Sequence, residues 1–233
     1  VPLDGADISL HCVFTECEAG LTRQEGNTYS LTTQFPQCIG GRMTASKIGY
    51  HTSSFEVNTN QEGLVNIPLE AYYELPVEII VDDEGSLRTP YGTESILFQF
   101  ENEDKGYFTT YLYPSTEKLK LVAGDYHITA TLMVETAGGF SFPERNVEIC
   151  SEVPKRGILG ITGLTETKCV QQTVDAMELD TVVAGGGTTL WNADRRVLAT
   201  SNKITLYTYR GKTPTNFEEL NNVYTSQGKF STN

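Results

Sequence analysis

Between Tyr126 and Val134 the apolar side chains of Tyr126, Ile128, Ala130, Leu132 and Val134 alternate with His127, Thr129 and Thr131, and only Met133 breaks the rhythm. A period of two gives a strand one dry face and gives a helix none. The same alternation opens the chain, where Ile8, Leu10, Cys12 and Phe14 fall on one face. Further strands are expected at 76–81, 95–100, 107–113, 117–122, 140–149 and 203–209, separated by the turn-forming groups Asp83-Glu84-Gly85, Glu103 to Gly106, Ala123-Gly124-Asp125 and Gly138-Gly139. Strand and turn at this spacing predict an all-β chain of tandem β-sandwich modules, not alternating βαβ units. A clear helical signal comes only near the end. There Thr215 to Glu218 matches a capping box behind Pro214, and Phe217, Leu220, Val223 and Tyr224 share a helical face, so a short helix is expected near 215–224. The apolar positions of 174–184 fit helix and strand equally.

Charge excludes one class of partner. The formal net charge is −13, and no segment gathers Lys and Arg into a stripe, so the field of the molecule repels phosphate backbones. Nucleic acid is therefore not an expected partner. Twelve Tyr and ten Phe are more aromatics than a disordered chain carries. No run approaches the roughly 20 apolar residues of a membrane helix, and the opening Val1-Pro2-Leu3-Asp4 has neither the basic nor the apolar region of a signal peptide. A start without Met fits a processed or excised segment, for which a membrane anchor outside this sequence is compatible.

Five cysteines, Cys12, Cys17, Cys38, Cys150 and Cys169, leave at least one unpaired within a monomer. Zinc would need a second close Cys or His pair beside Cys12 and Cys17, and the histidines stand scattered at 11, 51 and 127. Disulfides are the better expectation, and they imply an oxidising, extracellular or cell-surface compartment. Cys17 and Cys38 bracket a polar loop and are expected to pair, as are Cys150 and Cys169. Cys12, on the apolar face of its strand, is expected reduced and buried. A Cys12 to Cys17 bridge across a tight hairpin is the alternative.

Catalytic patterns are weak. No Gly-x-Ser-x-Gly elbow accompanies the histidines, and neither Gly157-Ile-Leu-Gly160-Ile-Thr-Gly163 nor Gly185-Gly186-Gly187 has the Lys-Ser/Thr ending of a phosphate loop. These glycines read as bends and close backbone contacts in β structure. Asp82 to Gly85 and Glu101 to Asp104 offer oxygens to calcium without EF-hand spacing, so solvated turns are the default. Trp191 with the aromatics of 107–113 would suit a sugar-stacking platform, against the plainer reading of strand residues covering a core. No catalytic residue, metal ligand or cofactor is expected. The segment 158–164 is apolar enough to pack modules or touch a neighbouring subunit, or to be a buried strand.

Residues 6–70 carry a resemblance. The opening strand 7–14, Thr44 to Tyr50 with its Gly49-Tyr50 turn, and the closing Val65 to Leu69 resemble a carboxypeptidase regulatory-like, or transthyretin-like, domain. Gly49 supplies positive φ at the turn and Tyr50 a large ring at the sandwich edge. The polar insertion between Cys17 and Cys38 departs from the family and suggests a secreted variant. Lys118 to Tyr126 is similar to the closing hairpin of such sandwiches, which reads as a second sandwich or equally as a generic β-hairpin. Three units follow: 1–72, 73–150, and a β-rich 151–233 with the short helix. The expected role is a non-enzymatic structural or adhesive protein: a spacer, filament subunit or interaction surface. Its partners would be proteins or copies of itself, with glycans as a further class. The alternative is a carbohydrate-binding or peptidase-accessory module of a larger secreted enzyme.

Overall fold

The computed structural model describes residues 3–142, 145–154, 165–174 and 177–214, together with Glu219 and Val223. The chain is all-β. The first strands are β1 (Asp7–Cys12), β2 (Thr15–Leu21), β3 (Arg23–Glu25), β4 (Thr28–Ser30), β5 (Gly41–Ser46), β6 (Tyr50–His51), β7 (Ser53–Val57) and β8 (Glu70–Ala71). Four of them form an antiparallel sheet in the order β2-β1-β5-β7. Alternation dictates its dry face: Leu10, Met43 and Val57 are buried, with Ile8, Cys12, Phe35, Val65 and Ile67 against them. Phe14 is the exception to the expected face. β1 ends at Cys12, and Phe14 sits in the following turn, 96% exposed.

The remaining strands are β9 (Tyr73–Leu75), β10 (Val77–Asp83), β11 (Ser86–Arg88), β12 (Glu94–Asn102), β13 (Tyr107–Tyr113), β14 (Leu119–Leu121), β15 (Gly124–Phe142), β16 (Arg145–Pro154), β17 (Thr165–Val174), β18 (Met177–Ala193) and β19 (Ile204–Arg210), with a short helix α1 (Arg195–Thr200) before the last. β9 pairs with β14 and β16 with β17, and the others build one larger sheet. Seven strands join in the order β11-β10-β19-β18-β15-β12-β13. β12 and β15 bury Ile96, Phe98, Phe100, Ile128, Ala130 and Leu132 on one face, each Ile, Leu or Phe side chain worth about 1.5–3 kcal/mol when fully buried. Leu119, Leu121, Val122 and Leu198 complete that core.

The expected boundary near 150 does not divide this sheet. β10, from the expected middle unit, lies parallel to β19 from the expected last unit, with Val77 opposite Ile204 and Asp83 opposite Arg210. β15 and β18 likewise pair across it. The chain leaves the sheet along β15 and returns along β18, so the break in sequence is an excursion from one sheet. The described residues of segment 174–184 are strand, Val174 ending β17 and β18 running from Met177. The helix expected near 215–224 lies outside the described residues apart from Glu219 and Val223, both helical. In α1, the Asp194 side chain accepts the backbone N–H groups of Arg196 (2.7 Å) and Val197 (3.4 Å), a cap missed in the sequence because only six residues follow it.

Three local devices hold the large sheet. The Tyr126 hydroxyl accepts from the Val122 N–H at 3.0 Å and donates to the Val122 carbonyl at 2.9 Å, the return hydrogen bond of a tyrosine corner. A Cβ on Gly185 would lie 2.2 Å from the Tyr209 carbonyl oxygen, and one on Gly186 the same distance from that of Ala130. The glycine run thus permits close backbone approach within the sheet. Glu94, its side chain buried, takes a bidentate pair from Arg88 (2.8 and 2.7 Å), a bond from Arg210 (2.7 Å) and the Tyr91 N–H (2.7 Å). Burial alone would raise the Glu94 pKa. The Arg88 hydrogen bonds, the Tyr91 N–H and both arginine charges outweigh it and hold the group below the ordinary carboxylate value.

The β6–β8 pair meets the turn between β12 and β13 at His51. A carbonyl can only accept, so the 3.0 Å contact from His51 Nε2 to the Lys105 oxygen places a proton on Nε2 and leaves Nδ1 to accept from the Tyr72 hydroxyl at 3.3 Å. The His51 ring also meets Tyr107 edge-on at 5.2 Å. Glu70 adds bonds from Lys105 (3.2 Å) and Arg195 (2.7 Å).

Candidate interaction site

β15 and β18 pair from Gly124 opposite Ala193 to Phe142 opposite Met177. From His127 to Val134 β15 also carries β12 on its other side, and Ile128, Ala130, Leu132 and Val134 of this root are buried. Beyond Glu135 the two strands pair only with each other among the described residues. The register shifts between Glu135 and Phe140, where the Thr136 hydroxyl reaches the carbonyls of Leu179 (3.0 Å) and Asp180 (3.2 Å). Gly138-Gly139, expected as a turn, lies within this bulge, and β15 continues through it.

β16 and β17 form a separate two-stranded ribbon, from Arg145 opposite Val174 to Pro154 opposite Thr165. Ten extended residues span about 33 Å. Every position of the ribbon whose burial is described is exposed: Glu148, Cys150, Ser151 and 167–173. A lone hairpin is marginal in water because it has no face on which to bury apolar area. Here a covalent staple answers that weakness. Cys150 stands opposite Cys169 with Cα atoms 4.0 Å apart, and the two are bonded. Glu148 lies within 4.8 Å of both sulfurs, but sulfurs joined to each other are not thiolate ligands, so this corner does not read as a metal centre in the oxidised protein. Val170, on the opposite face, is 67% exposed.

The other cysteines correct the expected pairing. Cys12 is bonded to Cys38, and Cys17 is the free, half-buried thiol. β5 pairs with β1, and Cys38, just before β5, lies against Gly41 beside Leu10 at the end of β1 where Cys12 sits. Cys17 is opposite Leu10 on β2, on the far side of β1 from β5, so β1 itself separates Cys17 from Cys38. The apolar face that seemed to bury a thiol instead brings it to its partner. The two disulfides indicate an oxidising environment, and no described helix is long and apolar enough to cross a membrane.

The remaining candidates stand apart. His11 and His127 are exposed, while His51 is engaged at the joint. Asp82 accepts the Gly85 N–H at 2.7 Å, and Asp83 pairs with Arg88 at 2.8 Å, so that acidic turn satisfies itself locally. Glu103 and Asp104 lie in a 3-10 turn capped by Asn102. Of the aromatics read as a stacking platform, Tyr107 and Tyr111 are buried, Trp191 is half-buried with its ring 5.9 Å from that of Tyr126, and Phe108 is exposed. The glycine series 157–163 and the apolar segment 158–164 lie outside the described residues. No protein-family model, curated protein or solved structure matches the chain.

Proposed function

We propose that this is a non-enzymatic structural or adhesive protein of the extracellular space or cell surface, built from β-sandwich modules, the first of them (6–70) of the transthyretin-like type. The stapled β16–β17 ribbon is its engaging element. One observation carries the reading: a ten-residue ribbon held by a disulfide stands with its described side chains exposed. Two-stranded ribbons gain their packing from whatever they contact, and two unpaired edges offer backbone groups to a further strand. The net charge of −13 favours protein surfaces with basic character over nucleic acid or anionic lipid.

The test compares the full chain with a variant in which residues 145–174 are replaced by a short Gly-Asn turn. Light scattering and negative-stain microscopy follow assemblies as concentration rises, and a glycan array is run in parallel. Growth beyond small oligomers that disappears with the ribbon is the expected result. Selective glycan binding by a species that never grows would replace this reading with that of a carbohydrate-binding accessory module.

A further inference from the structure

The two ends of the large sheet are guarded differently. β11 is three residues long, and its Arg88 is locked to Asp83 and Glu94. β13 is seven residues long and uncharged, Tyr107-Phe-Thr-Thr-Tyr-Leu-Tyr113, in a chain of net charge −13. It pairs with β12 residue for residue, without a bulge, from Tyr107 opposite Asn102 to Tyr113 opposite Ile96. Among the described residues no strand pairs with its outer edge, and no backbone hydrogen bond outside the ladders reaches it. Soluble proteins ordinarily blunt such an edge with charge, proline, a bulge or shortness, and β13 has none of these.

The side chains of β13 have a symmetry of their own. Tyr107 and Tyr111 point inward, their hydroxyls donating to the carbonyls of Lys120 (2.6 Å) and Ser115 (2.9 Å). Phe108, Thr110 and Leu112 point outward, Phe108 58% and Leu112 53% exposed. Thr110 is the midpoint. An antiparallel pairing about a two-fold axis through Thr110 and normal to the sheet keeps each residue on its own face. It sets Phe108 opposite the partner's Leu112, Thr110 opposite the partner's Thr110, and Tyr107 opposite the partner's Tyr113. Apolar meets apolar, hydroxyl meets hydroxyl and no charge enters the seam, which is the condition for an isologous contact between identical strands.

We propose that β13 pairs with β13 of a second copy of this chain, joining the two large sheets into one that runs through the dimer. The inference deepens the structural role proposed above and rests on it: β13 supplies the pair, and the ribbon the contact beyond the pair.

Sedimentation equilibrium and light scattering of the full chain across the micromolar range should give the mass of two chains. Thr110→Lys places two ammonium groups together on the axis. With the far-ultraviolet spectrum unchanged, the mass should halve. Should that variant fail to fold, Phe108→Lys and Leu112→Glu decide: each alone should be a single chain, and an equimolar mixture should return to twofold mass. In the mixed pair the new charges face each other in one row, and native Leu112 meets native Phe108 in the other. A single-chain mass for the unmodified protein throughout the range, a folded Thr110→Lys variant that stays at twofold mass, or a mixture that stays at single-chain mass would overturn the assignment. The two proposals fail separately. Ribbon-dependent assemblies built from single chains refute the β13 pair and keep the structural role. Twofold species that never grow, with or without the ribbon, do the reverse.

Discussion

Tyr126 joins two jobs in one side chain, because its ring fills the core between Phe100 and Trp191 while its hydroxyl satisfies both backbone groups of buried Val122. Burial pushes the phenol well above its ordinary pKa, the Val122 backbone bond only partly opposing it. Tyr126→Phe keeps the ring and orphans a buried donor and acceptor, so it should lower stability by about 2 kcal/mol, read from the urea midpoint at unchanged slope. A loss within error would mean water or another group replaces the hydroxyl. In sequence, Lys118 to Tyr126 reads as the closing hairpin of a sandwich or as a generic β-hairpin, and the bonds from the Tyr126 hydroxyl to Val122 appear only in the fold. The sequence did not announce the cysteine pairing. Period two put Cys12 on the dry face, but which strand lies beside β1 is a long-range fact, and that neighbour decides whether Cys38 finds Cys12 or Cys17. Non-reducing peptide mapping should accordingly recover Cys12 linked to Cys38 and Cys150 to Cys169, with iodoacetamide on Cys17 alone. A Cys17 to Cys38 peptide would restore the pairing expected from loop polarity and count against the order β2-β1-β5.

At the scale of elements, the turn from β11 to β12 is organised by charge inside the protein. Glu94 is buried among Arg88, Arg210 and the Tyr91 N–H, and the Arg88 guanidinium stacks 3.8 Å from the centre of the Tyr91 ring. Because the folded pKa of Glu94 lies below its ordinary value of 4.5, its ionised form contributes stability that is present above pH 4.5 and lost as pH falls through the folded value. Glu94→Gln should cost roughly 3 kcal/mol at neutral pH, the low end for breaking a buried pair, because both arginines keep partial exposure and Asp83 stays within reach of each. It should also flatten the fall in stability below pH 4.5. Chemical denaturation at pH 7 and pH 4 checks both, and an acid limb as steep in the variant as in the parent would place the titrating group elsewhere. Elements with strong alternation, β12, β13 and the root of β15, were legible because one face of each is buried. β15 and β18 run longer than expected, with a shift in register between Glu135 and Phe140 where Gly138-Gly139 reads as a turn in sequence. The Glu94 cluster was invisible for another reason: its members come from 83, 88, 94 and 210, and only the parallel pairing of β10 with β19 assembles them.

For the whole molecule, the two sheets have unequal means of support. The large one buries an extended cluster that includes Phe98, Phe100, Tyr126 and Leu206, whereas the small one rests on Leu10, Met43 and Val57 with half-buried neighbours. A core of that size is too small to hold a sheet unaided, and two other supports make up the difference. One is the Cys12–Cys38 bond, closing a separation of 26 residues and contributing about 3 kcal/mol through the unfolded state. The other is the joint, where His51 on β6 and Glu70 on β8 reach Lys105 in the turn between β12 and β13 and Glu70 also reaches Arg195 in α1. The small core is assembled from residues 8–67, close to one another in sequence. The large sheet runs across the division expected at 150, because the ribbon carries the chain away from a sheet to which β18 and β19 return. This asymmetry orders the unfolding. Replacing Cys12 and Cys38 together by Ala should speed amide exchange about a hundredfold in β1, β2, β5 and β7, the kinetic equivalent of that stabilisation, while β10, β12, the root of β15 and β19 keep their protection. His51→Ala, which removes the bridge to the Lys105 carbonyl, should act in the same direction on the small sheet alone. Exchange that accelerates equally in both sheets would mean that they unfold as one cooperative body, and that the joint, not the disulfide, governs the small one.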